Sequence, residues 1–300
     1  MIIKQDLHIH THCSCDSASL HIPEIVQHCQ NLGFEHFGIS DHLHTAFNMP
    51  DIEIANREYN AFGHVKGFHF GIEVTCATKW ECEMIAKREY ASCFVCNVLG
   101  KPFQTMTPID GIMYGGPAGG PLQIDLTRDD IERLGIEYVI AGVHKPDYSE
   151  HNFKAVLEDW YSQLCYLANH ELVDIIAHPW EGLPFWSGDC IVNRSSPQDF
   201  GLYLQIPQEY WDTLGELMVK NGKLAEFNPC IILAERIPEV IRFKIIEKMA
   251  GWKEQGVKFT FGSDSHREYK EDHILKCDEI LSKFGFTEND FGLPEALKNK

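Results

Sequence analysis

Histidine and acidic residues of the types that bind metals occur in short clusters along most of the 300-residue chain. His8 and His10 alternate with Leu7 and Ile9, so in a β-strand both imidazoles leave the same face. Two neutral imidazoles side by side chelate a borderline-soft divalent cation well, and the whole set of ligands suits zinc, manganese or iron. Further clusters follow at Asp16, Asp41-His42, Glu73, His144, His178 and Asp264-x-His266.

Short predicted strands end at or next to these clusters. They cover residues 6–10, 36–40, 69–73, 138–143, 173–177, 224–227 and 258–261. Helical patterns lie between them, one starting at Ile22 with Ile25, Val26 and Cys29 on the same face, and others over 152–170, 209–221 and 237–255. Strands that alternate with helices predict a parallel α/β fold, and repetition over 300 residues favours a barrel. The clusters follow strand ends, and the carboxyl ends of barrel strands are where catalytic residues collect.

Composition limits the function classes. A net charge of −18 disfavours nucleic acid as a partner, because phosphate contacts need Lys and Arg. No apolar run approaches the roughly 18 residues that span a bilayer, and the first residues lack signal-peptide features, so a cytoplasmic protein without a membrane partner is expected. The 11 cysteines are expected to be reduced thiols, including the isolated pair Cys93 and Cys96.

The clusters resemble the motifs of the PHP (polymerase and histidinol phosphatase) family and occur in that family's order. The matching stretches are Asp-Leu-His-Ile-His-Thr at 6–11, Ile-Ser-Asp-His at 39–42, Gly-Ile-Glu-Val at 71–74, Ala-Gly-Val-His-Lys-Pro at 141–146, Ile-Ala-His-Pro at 176–179 and Gly-Ser-Asp-Ser-His at 262–266. Glu226-x-Asn228 and the His-x-Pro form at 144–146 look most like the small stand-alone phosphatases. The resemblance implies an α/β fold, a distorted (β/α)7 barrel over residues 1–300. It also implies three divalent ions at the carboxyl ends of the strands.

Two Gly- and Pro-rich or aperiodic segments, at about 97–123 and 180–208, depart from the small phosphatases and are predicted insertions into a single domain. Long loops of this kind are often functional lids. Both follow strands that carry candidate ligands, so both are candidates to cover the site. A surface insertion without a role in the site is the alternative.

The family pattern, carried over residue by residue, assigns nine ligands to three metals. His8, His10, Glu73 and Asp264 hold the first metal. Glu73 bridges to a second metal held by His144 and His178. Asp16, His42 and His266 hold the third. His12 and His44 lie close by in the sequence but match no family ligand, and Asp41 is better interpreted as a group that orients its neighbour His42.

The expected mechanism is attack on phosphorus by a hydroxide that bridges two metals, since bound metals lower the pKa of water to about 7. Asp264 is the candidate to accept the proton of the nucleophile, and Asp41 or a metal-bound water would supply one to the leaving group. Lys145, Arg267 and Arg194 are candidates to bind phosphate oxygens, although Lys145 and Arg267 could instead neutralise an acidic rim. Trp180, Phe185 and Trp186 could stack on a substrate or pack in the core.

The leading hypothesis is a metal-dependent phosphatase for a small phosphomonoester, such as histidinol phosphate or a nucleoside monophosphate. A nuclease or phosphodiesterase is the first alternative, against which the acidic composition counts. A non-catalytic module stabilised by metals is another, although all nine ligand positions are present. Hydrolysis of a C–N or lactone bond is the last, and the ligating lysine typical of amidohydrolases is not evident. The sequence leaves the oligomeric state open.

Overall fold

The computed structural model describes residues 1–87, 111–112, 119–146, 152–186 and 200–298. Ten strands lie within these ranges, eight of them in one sheet. The strands are β1 (Gln5–Asp6), β2 (His36–Ile39), β3 (His42–Leu43), β4 (Phe68–Thr75), β5 (Ala77–Thr78), β6 (Leu122–Gln123), β7 (Tyr138–Gly142), β8 (Ile175–Ile176), β9 (Leu224–Phe227) and β10 (Lys258–Phe261).

Seven parallel strands follow one another around the large sheet in the order β1-β2-β4-β7-β8-β9-β10, and β3 adds to β4. The two ends of this order meet. The amide of Leu7 donates to Phe261 O at 3.2 Å, and that of Asp264 donates to His8 O at 2.8 Å. The sheet therefore closes almost completely into a seven-stranded parallel barrel, which confirms the predicted fold class.

Helices connect successive strands, as the alternating pattern predicted. Their bounds are α1 (Ile22–Leu32), α2 (Met49–Phe62), α3 (Lys79–Lys87), α4 (Arg128–Leu134), α5 (Phe153–Asn169), α6 (Leu183–Trp186), α7 (Gln208–Asn221), α8 (Pro229–Ile232), α9 (Glu239–Gln255) and α10 (Glu271–Lys283). The predicted buried face of α1 is confirmed, since Ile22, Ile25, Val26 and Cys29 are all buried. Among the described helices, none has the length and apolar character needed to span a bilayer.

The sheet separates two apolar cores because strand residues alternate between its faces. The larger core lies between strands and helices and takes one set of alternate residues from β4, such as Ile72 and Val74. The smaller core fills the barrel and includes Tyr138 and Ile140 of β7. A Cβ at Gly71 would lie 2.3 Å from the Tyr138 ring, so glycine is required there for the ring to fit. The intervening β4 residue Glu73 consequently faces inward, above this filled interior.

The first strand differs from its prediction. Regular pairing of β1 ends at Asp6, and beyond it an isolated bridge between Ile9 and Ser265 and single backbone hydrogen bonds continue toward His10. The predicted insertions lie largely outside the described residues, which include only 111–112 and 119–123 of the first and 180–186 and 200–208 of the second. The eight cysteines of the described part are free thiols, as expected, whereas Cys93 and Cys96 lie outside it.

Candidate metal centre

The four residues predicted for the first metal meet at the carboxyl ends of the strands. His8 Nε2 lies 3.0 Å from His10 Nε2, 3.1 Å from Glu73 Oε2 and 3.5 Å from Asp264 Oδ1. His10 Nε2 lies 3.5 Å from the same Glu73 oxygen and 3.2 Å from the same Asp264 oxygen. Around a tetrahedral zinc ion at 2.0–2.2 Å, neighbouring ligand atoms are roughly 3.3–3.6 Å apart. The observed distances of 3.0–3.5 Å lie within or slightly below this range, so small side-chain shifts would let these four residues hold a common metal ion.

Glu73 divides its two carboxylate oxygens between groups of histidines. Oε2 faces His8 and His10 and lies 2.8 Å from His42 Nδ1, whereas Oε1 lies 3.1 Å from His144 Nε2 and 3.0 Å from His178 Nε2. A carboxylate with this arrangement can bridge two cations. The Glu73 side chain is fully buried. A carboxylate oxygen there that faced neither a cation nor a hydrogen-bond donor would therefore lower the stability of the fold.

The remaining predicted ligands form a third group beside the first. Asp16 Oδ2 contacts His266 Nε2 and lies 3.5 Å from His42 Nε2. The rings of His42 and His266 both stack on His10, with centroids 4.3 and 4.2 Å away. All nine predicted ligands are thus gathered in one cluster.

Neighbouring groups hold several rings so that Nε2 points into the cluster. Glu226 Oε1 lies 2.6 Å from His8 Nδ1, and the carboxylate can only accept this hydrogen bond. His266 Nδ1 likewise lies 2.7 Å from the Asp264 carbonyl oxygen, which can only accept. His144 Nδ1 lies 2.8 Å from the Thr75 hydroxyl, which orients this ring and can either donate or accept. A proton on Nδ1 leaves the Nε2 lone pair free, which is the tautomer that binds a metal through Nε2.

The electrostatics of the metal-free cluster follow from burial and from the central carboxylate. Burial lowers the pKa of His10 to about 3, helped by the neighbouring His42. Burial alone would raise the pKa of Glu73, but the charges of His8 and His42 hold it well below its usual range. Against the effect of burial, the Glu73 carboxylate helps raise the pKa of His42 to about 10 and that of His178 to about 9. Metal ions would replace these protons.

Two of the predicted ligands adopt strained backbone conformations. Asp264 has φ of 53° and His178 has φ of 24°, in the left-handed region that non-glycine residues rarely adopt. Such strain costs on the order of 1–3 kcal/mol and is concentrated at functional sites. Between strand β10 and Asp264, a Cβ at Gly262 would lie 2.0 Å from Glu226 Oε1 and 2.5 Å from His8 Cβ. Glycine at this position therefore lets the chain that leads to Asp264 pass close to His8 and Glu226.

Asp41 and Lys145 were predicted to act on the reactants, but in the structure both side chains are buried in other contacts. Asp41 is 2% exposed, and its two oxygens accept hydrogen bonds from the amide and hydroxyl of Thr11, each at 2.6 Å. It therefore holds the ligand-bearing N-terminal stretch and does not face the cleft. Lys145 is 1% exposed, and its ammonium pairs with Glu81 at 3.0 Å. The predicted substrate role of Lys145 is corrected to a buried ion pair.

The other candidates divide between the described and undescribed parts of the chain. Exposed Arg267 lines a groove of about 1050 Å³ that opens at Asp264 and His266. Arg194 lies outside the described residues, as do the side chains of Phe185 and Trp186. Trp180 is fully buried and packs against Trp211, which favours the core alternative for that side chain.

A cleft of about 260 Å³ lies over the cluster, lined by His42, His144, His178, Glu181, Asp264 and His266 among others. Most ligand sites enclose about 300–1,000 Å³. The cleft alone is small, but the larger groove beside it shares Asp264 and His266. The cluster is therefore accessible to a small molecule from the carboxyl end of the barrel.

The fold and the cluster together define an α/β barrel with a candidate multinuclear metal centre at the carboxyl ends of its strands. Residues 6–228 match the PHP domain, and the chain belongs to the PHP domain family. No curated protein matches the sequence.

Solved structures support the same architecture. The histidinol phosphate phosphatase of Lactococcus lactis subsp. lactis Il1403, solved with zinc, L-histidinol and phosphate, is similar with a TM-score of 0.57 and 15% identity, over 94% of each chain. A putative histidinol phosphatase from Listeria monocytogenes gives a TM-score of 0.53 at 14% identity, over 88% of this chain and 96% of that one. At these identities the similarity establishes the fold.

Proposed function

We propose that the protein is a metal-dependent phosphatase that hydrolyses a small phosphomonoester. PHP domain membership supports a metal-dependent phosphoesterase. The observation that carries the proposal is the division of Glu73 between two groups of histidines, because it joins candidate sites for adjacent cations. The proposed ligands are the nine predicted from the sequence: His8, His10, Asp16, His42, Glu73, His144, His178, Asp264 and His266.

Three divalent ions, zinc, manganese or iron, are proposed for this cluster. When bound, they would lower the pKa of water and neutralise charge on the phosphoryl group. Asp16 Oδ1 is buried and has no hydrogen-bond partner within the described residues, which is consistent with cation binding.

The protein's own groups would position the substrate and move a proton. Asp264 lines both the cleft and the groove, and its Oδ2 lies 3.3 Å from Asn228 Nδ2 while Oδ1 faces the histidines. We assign Asp264 as the acceptor of the nucleophile's proton. Arg267 lies at the groove, where its guanidinium can pair with phosphate oxygens. Asp41 and Lys145 are buried in other contacts and are not included.

A small monoester agrees better with these features than a nucleic acid does. The net charge of −18 opposes a long polyanion, whereas one arginine beside metal ions suffices for one phosphate. Histidinol phosphate is a reasonable first substrate to test, since the similar Lactococcus lactis enzyme was solved with L-histidinol and phosphate. Nucleoside monophosphates belong in the same panel.

A phosphate-release screen tests this proposal. The full chain, loaded in turn with zinc, manganese or iron, is incubated with phosphomonoesters, phosphodiesters and oligonucleotides. Release from monoesters alone is expected. Cleavage of oligonucleotides alone would replace the proposal with a nuclease, and no hydrolysis with any metal would favour a metal-stabilised module.

Two variants test the proposed roles within the cluster. His10→Ala should lower both metal content and turnover, because it removes one donor of the first group. Asp264→Asn should lower turnover even where metal content is restored by excess ion. Full activity and metal content in Asp264→Asn would exclude the proton-acceptor role.

A further inference from the structure

A second group of metal-type donors lies beside the nine-ligand cluster without sharing any of its residues. His12 and Cys13 occupy the stretch between His10 and Asp16, and Glu58 reaches them from helix α2. His12 Nε2 is 3.3 Å from Glu58 Oε1 and 3.8 Å from Cys13 Sγ. All three donor atoms lie within 4.8 Å of one another.

These separations suit a cation bound by nitrogen, oxygen and sulfur. For zinc, with bonds of about 2.0–2.2 Å to nitrogen and oxygen and 2.3 Å to sulfur, tetrahedral geometry puts such atoms roughly 3.4–3.6 Å apart. The observed distances of 3.3 Å from His12 to Glu58 and 3.8 Å from His12 to Cys13 are close to these values, and the Cys13 and Glu58 donor atoms lie within 4.8 Å of each other. A surface ion pair would account for His12 and Glu58 alone, but not for the thiol beside them.

The surroundings of the thiol favour a positive charge. Burial, together with the carboxylates of Asp41, Glu58 and Asp51, raises the pKa of Cys13 to about 11. The negative potential that keeps the thiol protonated would attract a divalent cation, and a coordinated thiol gives up its proton. Binding would therefore form a metal–sulfur bond and release the Cys13 proton to the buffer.

We propose that His12, Cys13 and Glu58 form an additional binding site for a borderline-soft divalent cation such as zinc, separate from the nine-ligand cluster. The sulfur and imidazole donors select against magnesium and calcium, which prefer oxygen ligands. An ion here would tie the stretch that carries Asp16 to helix α2. The site would thereby position Asp16 without being part of the cluster.

Cadmium titration of the full chain tests the site, because cadmium–thiolate bonds absorb in the near ultraviolet and the nine-ligand cluster has no cysteine. The wild type should bind one more equivalent of cadmium than Cys13→Ser, with a thiolate band that this variant lacks. Cys230→Ser is the control, since Cys230 Sγ lies 3.9 Å from Asp264 Oδ2, beside the nine-ligand cluster. That control should keep the band.

A second pair of variants guards against misfolding of Cys13→Ser. Glu58→Gln should lower the cadmium affinity, measured by titration of the thiolate band, at least tenfold. Glu53 lies on the same helix and pairs with Arg133, so Glu53→Gln should leave that affinity unchanged. Identical bands in the wild type and Cys13→Ser would overturn the proposal, as would loss of the band in Cys230→Ser or unchanged affinity in Glu58→Gln. None of these readouts depends on phosphate hydrolysis, so failure here is distinguishable from failure of the proposed phosphatase function.

Discussion

Glu226→Gln is the substitution that most directly tests how the centre is held. Glu226 is 1% exposed, and its two oxygens serve two ligands. Oε1 lies 2.6 Å from His8 Nδ1, and Oε2 accepts a hydrogen bond from the backbone amide of His178 at 2.8 Å. Glutamine has nearly the same shape but only one acceptor oxygen. It cannot accept from both groups.

Either orientation of the new amide carries a cost. If its NH2 group faces the His178 amide, a buried donor loses its acceptor, which costs about 1–3 kcal/mol. If the NH2 group faces His8, the imidazole must move its proton to Nε2, the nitrogen that would bind the metal. Partners that orient metal ligands typically contribute 10–100-fold to metal affinity, or roughly 1.4–2.8 kcal/mol. We therefore expect zinc affinity of the first ligand group to fall by that factor.

Competitive zinc titration with a chromophoric chelator measures the change, with thermal unfolding of the metal-free protein as a check on folding. Glu137→Gln is a matched control, because Glu137 Oε2 lies 3.3 Å from His69 Nδ1 but this pair is not part of the cluster. The control should lose stability without losing zinc affinity. Equal zinc affinity in Glu226→Gln and wild type, with both folded, would refute the assigned tautomer of His8.

Four further predictions follow from the same contacts. Gly262→Ala should lower metal content while the protein stays folded, because its Cβ would lie 2.0 Å from Glu226 Oε1, and metal analysis of the purified variant checks this. Lys145→Met should cost about 3–5 kcal/mol in denaturant unfolding, since it removes the ammonium that pairs with the buried Glu81 carboxylate, and Lys145→Met/Glu81→Leu should recover most of that loss. Metal binding should release protons at pH 7, where His42 and His178, with pKa values of about 10 and about 9, are protonated in the metal-free protein. Affinity should therefore rise with pH and level off above about 10, and calorimetry in buffers of different ionisation enthalpy measures the release. Chelation should lower the melting temperature, as loss of an ion present at 100 times its Kd removes about 2.7 kcal/mol.

The sequence predicts the barrel and the closeness of the His and acidic clusters because both depend on local patterns. Alternation in β4 puts Glu73 on the inner face, and the helical spacing of Ile22, Ile25 and Val26 identifies the buried side of α1. The nearness of the nine predicted ligands follows from parallel strands that all end at the same side of the barrel. These features need no knowledge of distant contacts.

Contacts between distant segments are what the sequence leaves undetermined. Lys145 follows a predicted ligand, yet its ammonium meets Glu81 of helix α3, and no pattern in the sequence pairs them. The orienting role of Thr75 was also missed, although its place two residues after Glu73 on one strand face was a usable signal. Asp41 was predicted to orient His42, but its carboxylate accepts hydrogen bonds from Thr11, a partner visible only in the fold.

The position of the cluster also bears on how the barrel closes. Strand β1 has two residues, and the seam between it and β10 depends on a few backbone hydrogen bonds, among them Asp264 N to His8 O at 2.8 Å. The first ligand group spans this seam, with His8 and His10 on one side and Asp264 on the other. An ion held by all three would join the two ends of the sheet where regular pairing is sparse. The strained backbone of Asp264 can then be tolerated, because the stabilisation from metal binding offsets it. Closure of the fold and assembly of the centre are therefore expected to depend on each other.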